Sequence, residues 1–241
     1  MNHKIKIHPA IFQAQPTFQR GIIAVKHMNN RDLSSELQAL LTQALREAAT
    51  EPIDLDTDPR VTHWNEAHRQ FGSNPNKFPS AHKALLKRVQ KPNASLPFIN
   101  NAVAIMNYNS IANKIPVGGD DLAHTGSVLE LRHANGDEKF IPLGSSDVEN
   151  PAPGEVIYVC AESTNVMCRR WNWRNGNLTA ITTETQAIVM NVDGLGEDCP
   201  ATVIQVRDRI AQMLTEFCDA ITITTLLNID SPAFEFSTHF N

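Results

Sequence analysis

The stretch CRRWNWRNG, residues 168–176, sets Arg169, Arg170 and Arg174 beside Trp171 and Trp173. A guanidinium presents a fork of donors that fits phosphate or carboxylate, and an indole offers a flat face on which a base stacks. Alternation along a strand would put Arg169, Trp171 and Trp173 on one face and Arg170, Asn172 and Arg174 on the other. The structural alternative is that the tryptophans plug a sheet–helix interface while the arginines pair with acids such as Glu162 or Glu184. A second constellation lies in PVGGDDLAH, residues 116–124, where Asp120, Asp121 and His124 could form a carboxylate-oriented imidazole base. Turn and capping chemistry is the simpler reading of Gly-Gly-Asp-Asp. Asn100, Asn101, Asn107 and Asn109 crowd one apolar segment, which points to turns, caps or ligand contacts, because asparagine is a mediocre helix former.

Other chemistries find no support. There is no Gly-rich phosphate loop, HExxH or GxSxG. Cys160, Cys168, Cys199 and Cys218 form no CxxC pair, and His63, His68, His82 and His133 have no ligand spacing, so neither a metal nor a cofactor is expected. The start, MNHKIKIHPAIFQ, lacks the apolar run of a signal peptide, and no stretch has the length of a membrane span. The expectation is a cytoplasmic protein with reduced thiols and no membrane partner.

The net charge of −5 argues against wholesale affinity for nucleic acid, and DNA is not an expected partner. Its distribution is uneven, however. Ala67 to Gly119 contains no acid but holds Arg69, Lys77, Lys83, Lys87, Arg88, Lys91 and Lys114. Ser163 to Thr183 likewise contains only the three arginines of CRRWNWR. Two locally basic segments in an acidic chain are what a phosphate-binding surface requires.

These residues need elements to hold them, and a chain of 241 residues that is 41% hydrophobic can bury a sizeable core. Residues 4–12 and 20–27 read as strands, and a helix capped by Asp32 runs to about Thr50. The acidic, proline-bounded EPIDLDTDP (51–59) marks a boundary between an N-terminal segment, 1–59, and a main body, 60–241. Helices are expected at 61–71, 80–91 with Ser80 as N-cap, and 98–113. Lys83, Lys87, Arg88 and Lys91 surround the apolar face of the middle one. From Ser127 the period becomes two, giving strands at 127–134, 138–144, 155–161, 166–174, 177–183 and 187–195, with Asn175-Gly176 as a two-residue hairpin turn. An amphipathic helix at 202–221 and a β-prone ITITTLL follow. Helices, a meander and a final helix make an α+β protein.

The run SAHKALLKRVQKPNASLPFINNAVAIMNYNSIANKIPVGGDDL, then GSVLELRHANGDEKFIPLG, PGEVIYVC, CRRWNWR and ITTETQAIVMNVDGL, resembles the tRNA-editing (B3/B4) domain in the beta subunit of bacterial phenylalanyl-tRNA synthetase, and more closely its free-standing relatives. The resemblance covers roughly residues 60–220. It implies a three-layer α+β fold with a β-sandwich-like mixed-sheet core and flanking helices. In the synthetase this domain hydrolyses the ester of tRNA mischarged with tyrosine. By motif, Asn107 matches an asparagine lining the editing pocket, Asp121 matches the aspartate closing that segment, and Pro116 fixes the alignment. Gly118 stands where the synthetase carries a pocket histidine, Asn191 where it carries a substrate-recognising glutamate, and CRRWNWR where it has a Gly-rich segment. These departures transfer the fold more securely than the tyrosine specificity.

The function so implied is hydrolysis, in trans, of a mischarged aminoacyl ester at the acceptor end of tRNA. Asn107 and Asn191 would give the pocket its polarity, with Asn107, Thr182 and Thr185 near the scissile ester and Asp121 beside the substrate. Arg169, Arg170, Trp171, Trp173 and Arg174 would meet the terminal nucleotides, and Lys83, Lys87, Arg88 and Lys91 the backbone phosphates. Two alternatives remain at this level: an RNA-binding module without chemistry, and a protein that binds or hydrolyses a small amino-acid derivative without nucleic acid.

Overall fold

The computed structural model describes residues 1–197 and 199–238. In chain order the elements are β1 (Asn2–Ile7), α1 (Pro9–Ala14), β2 (Gln19–Lys26), α2 (Ser35–Thr50), α3 (Pro59–Gln70), α4 (Ala81–Val89), α5 (Asn101–Asn113), β3 (Val117–Asp121), β4 (Val128–His133) and β5 (Val156–Cys160). They continue with β6 (Val166–Arg169), β7 (Arg174–Asn175), β8 (Ile188–Gly194), α6 (Cys199–Cys218), β9 (Ile221–Leu227) and β10 (Ala233–Ser237).

Two sheets stack. One is antiparallel with strand order β3-β8-β2-β9; the other runs β10-β1-β4-β5-β6-β7 and is mixed, because β1 and β4 are parallel. The side-chain period of two in β2 explains the layering. Ile23 and Val25 join a core with α2, α5 and α6, whereas Ile22 and Ala24 join a core with Ile5, Leu129, Leu131 and Tyr158 of the larger sheet and with Trp171 beside it. Apolar on both faces, β2 reads as a continuous run, as a sandwiched strand must. The result is the three-layer α+β arrangement expected: helices, a four-stranded sheet, then a six-stranded sheet. Residues 1–59 contribute an interior strand to each sheet, β1 between β10 and β4 and β2 between β8 and β9.

Several local expectations are corrected. Residues 9–14 form α1 rather than extending β1, since Pro9 falls at its first turn and His8 Nδ1 accepts from the Ala10 amide. Helix α2 is capped by Ser34, whose hydroxyl accepts from Leu37 N, while Asp32 accepts from Asn29 Nδ2. VGGDD is a strand, not a turn. The glycines are what the place demands: a Cβ on Gly119 would lie 3.0 Å from Met106 Sδ of α5 and 3.1 Å from Met190 Cγ of β8. Residues 138–144 and 177–183 form no strands, and Phe140 and Pro142 make only isolated bridges.

The hairpin also moves. Strand β6 stops at Arg169, the chain turns through residues 170–173, and Arg174 pairs back on Arg169, with Asn175 on Cys168. Asn175-Gly176 lies past the turn, on the returning limb. Arg170 (φ 47°) and Trp171 (φ 67°) are consecutive non-glycine residues in the left-handed region, a strained pairing found where surrounding structure over-determines the backbone.

Candidate functional site

Helices α4 and α5, strand β3 and the 170–173 turn enclose a cavity of about 690 Å³ that reaches from the surface down to residues of β2 and β5. Asn107 of α5 and Asn191 of β8 both line it, and both are half-buried. Asn191 lies opposite Gly118 in the β3–β8 register, and its Oδ1 would stand 3.3 Å from a Cβ there, so the glycine leaves that amide open to the cavity.

The 170–173 turn forms one wall, and its clamps account for the strained backbone. Arg169 is buried and forks onto Glu155 through Nε (2.9 Å) and Nη2 (2.8 Å), with Nη1 on Glu149 at 2.6 Å. The Arg170 amide donates to the same Glu155, the Trp171 amide donates to Val156 O, and Asn172 O accepts from Ala81 N at the start of α4. Ser80 stands at the N-cap position, but its side chain makes no capping hydrogen bond. His68, which burial pushes down to about 4 and so holds neutral, sets Nε2 3.1 Å from Asn172 Oδ1.

The two tryptophans have separate places. Trp171 is buried, edge-on to Phe18 (4.9 Å between centroids) and Trp64 (5.3 Å), and still lines the cavity. Trp173 is half-exposed, packs edge-on against Phe78, and has the exposed Arg174 guanidinium 6.0 Å from its ring. Arg170 stacks on Phe78 at 3.8 Å, with Nη1 3.3 Å from Ser73 Oγ. Of the three arginines, Arg174 is the one at the open rim, where Arg88 of α4 joins it. Lys87 and Lys91 are exposed nearby, but Lys83 is buried and donates to Asn65 Oδ1 at 3.1 Å. Lys83 therefore faces the interior, away from any phosphate on the surface.

Asp121, Thr182 and Thr185 come together beside the cavity rather than on its wall. Thr185 Oγ1 donates to Asp121 Oδ2 at 2.7 Å and accepts from Thr182 N at 3.0 Å, which staples the 179–185 segment to the end of β3. The neighbouring Asp120 points inward. Its Oδ1 accepts from Thr179 Oγ1 at 2.5 Å, it is buried, and it is the one acidic residue among the described residues of the cavity lining. Burial pushes its carboxyl up to about 6, against the opposing pull of Thr179 and Arg20. His124, by contrast, is an exposed side chain 3.5 Å from Asp121.

The deepest wall carries residues that sequence reasoning missed. Arg20 forks onto Asp193 (2.6 and 2.7 Å), both side chains sealed from solvent, and its guanidinium lies 4.8 Å from the Tyr158 ring centroid. Arg20 and Tyr158 both line the cavity. The available signal was an arginine opening the apolar strand GIIAV, matched by an aspartate within the equally apolar VMNVDGL. A charge in a strand buried on both faces must be paired.

Comparison with known proteins locates this architecture. The model of the B3/4 domain matches residues 63–219, well over half of the chain. The chain belongs to the B3/4 domain family. The match spans α4, α5, β3, the 170–173 turn and β8, which is most of the cavity wall, while Arg20 lies outside it. Among solved structures, an N-terminal fragment of the phenylalanyl-tRNA synthetase beta-subunit from Pyrococcus horikoshii is similar at 13% identity and a TM-score of 0.48. The similarity covers 92% of this chain and 53% of that one, so the chain spans about half the length of that fragment. No curated protein matches. Among the described residues, no helix is long and apolar enough to cross a membrane.

Proposed function

We propose that this B3/4 domain binds the acceptor end of tRNA and hydrolyses a mischarged aminoacyl ester in trans. The observation that carries the reading is the division of the cavity. Its lining holds amides and one buried carboxyl, Asn107, Asn191 and Asp120, while its rim holds an aromatic face and cations, Trp173, Arg174 and Arg88. The acyl group enters the cavity, the terminal adenosine stacks on Trp173, and the preceding phosphates meet Arg174, Arg88, Lys87 and Lys91.

The reaction consumes one water. Its oxygen forms a bond to the ester carbonyl carbon, the bond from that carbon to the ribose oxygen breaks, and the proton lost by water passes by way of Asp120 to the departing ribose oxygen. A carboxyl near 6 is ionised at neutral pH yet basic enough to take that proton in the transition state. Asn107 and Asn191 hold the water and the carbonyl in line. Orientation supplies much of the acceleration, because the aminoacyl ester is intrinsically labile. Asp121, Thr182 and Thr185 support the site by fixing the segment that carries Thr179.

The test is direct: incubate the protein with tRNAs charged with a panel of amino acids and follow loss of the ester. Hydrolysis of at least one above the buffer rate, reduced in D120N, is expected. No hydrolysis of any of them refutes the proposal.

A further inference from the structure

The fold leaves one strand edge open. Four strands end the two sheets, and three of them are blunted by brevity, charge or cover, the devices that keep an edge from pairing with another chain. β7 is two residues long, and the neighbouring segment covers it, with Leu143 N donating to Asn175 O. β10 has five residues, follows Pro232 and carries Glu235. β3 ends in Asp120 and Asp121, and the Asp121 amide donates to Thr179 O. β9 has none of these devices. Its seven residues, ITITTLL, include no charge, proline or glycine, and they pair with β2 one for one from Ile221 to Leu227 without a bulge. Among the described residues no backbone hydrogen bond reaches its outer side, so the amides and carbonyls that face away from β2 have no partner there.

The side chains indicate what covers this edge. The register places Thr222, Thr224 and Leu226 on the helical side of the sheet, with Val25 and Ile23, and Ile221, Ile223, Thr225 and Leu227 on the side of the six-stranded sheet. Leu227 joins the core on that side. Ile221 is 52% exposed, Ile223 is half-buried, and neither packs into a core cluster among the described residues. Two aliphatic side chains thus flank an unpaired edge with nothing over them. Laid antiparallel on itself about Thr224, the strand is self-complementary. Ile221 faces Leu227 of the second copy, Thr222 faces Leu226, Ile223 faces Thr225, and Thr224 faces Thr224. No like charges meet, and aliphatic and threonine pairs across strands are stabilising. An extended segment of another protein would find backbone groups here but no charge to recognise, whereas a second copy supplies the matching side chains.

We infer that two copies of this protein join β9 to β9 across a twofold axis at Thr224, fusing their four-stranded sheets into one continuous sheet. β3, which lines the cavity, is the opposite edge of the four-stranded sheet, so the junction leaves both cavities free. The inference is therefore independent of the hydrolytic function.

The test is sedimentation equilibrium of the full chain at concentrations on the order of 1 to 100 µM, the range suited to an interface built on a single strand pair. Twice the mass of the chain is expected at the upper end. Ile223→Lys sets two like charges at diagonal positions beside the axis and removes nothing from a core, so the dimer Kd should rise at least about tenfold with the unfolding temperature unchanged. A cysteine on the axis gives a second, local readout. Thr224→Cys should form a disulfide between copies under mild oxidation, whereas Thr222→Cys, which is four residues from its counterpart in this register, should not. The native chain is the control for its own four cysteines. A chain that stays monomeric throughout the range, a dimer left intact by Ile223→Lys, or equal cross-linking at 222 and 224 overturns the inference.

Discussion

Replacing Asp120 by asparagine should make the protein more stable and less active. The carboxyl is buried at the cavity wall with Thr179, Arg20 and Asp121 acting on it, and burial lifts it from 3.8 to about 6. The folded state thus holds its proton up to about pH 6, while the unfolded chain releases it near 3.8. Between those values the folded state binds more protons, so stability falls as pH rises, and the full penalty is present above about pH 6. A shift of roughly two units corresponds to about 3 kcal/mol. An amide removes the charge and still accepts from Thr179 Oγ1. D120N should therefore gain up to about 3 kcal/mol at pH 8, or roughly 6–12 °C in Tm for a chain this long, and almost nothing at pH 4. Its deacylation rate should drop by about 10² to 10⁴, the usual contribution of a positioned base. Thermal unfolding of both proteins from pH 4 to 8, with ester hydrolysis measured alongside, checks this. A stability difference that does not change with pH, or a destabilised D120N at pH 8, would refute the account of Asp120.

Three further outcomes follow from the placements. Asp193→Asn leaves the Arg20 charge buried without its counterion and should cost about 3–5 kcal/mol in urea unfolding. Trp173→Ala removes a half-exposed stacking face, so KM for charged tRNA should rise about 5- to 150-fold while Tm changes little. Combined substitution of Lys87, Arg88 and Arg174 by glutamine should flatten the dependence of log Kd on log salt by about 2–3, and Lys83→Gln should leave that slope unchanged because Lys83 faces Asn65.

The cationic cluster shows where sequence reasoning succeeds and where it stops. Arg169, Arg170 and Arg174 are chemically alike and nearly adjacent, and alternation would have treated them as two faces of one strand. The structure sends Arg169 to Glu155 and Glu149, stacks Arg170 on Phe78, and leaves Arg174 at the rim. The cause is two left-handed residues at 170 and 171, which end the strand period at Arg169. Nothing local requires them: neither is glycine, and the clamps that hold them, Glu155 and Val156, lie 15 residues away. The same holds for VGGDD, which turn propensity reads as a loop and antiparallel pairing with β8 makes a strand.

What the sequence by itself determined was the repertoire: the α+β class, through runs whose period changes from helical to two at Ser127, and the chemistry at hand, through asparagines, basic segments and the Trp-Arg stretch. Periodicity and composition are local, so they survive without knowledge of neighbours. Which of those residues share a cavity was decided by tertiary structure alone. Arg20 and Asp193 are 173 positions apart, and Asp120 and Thr179 are 59 apart. Each pair exists because antiparallel sheets and packed helices bring distant segments into register, and because a charge sealed in a low-dielectric interior must find a partner wherever the fold supplies one.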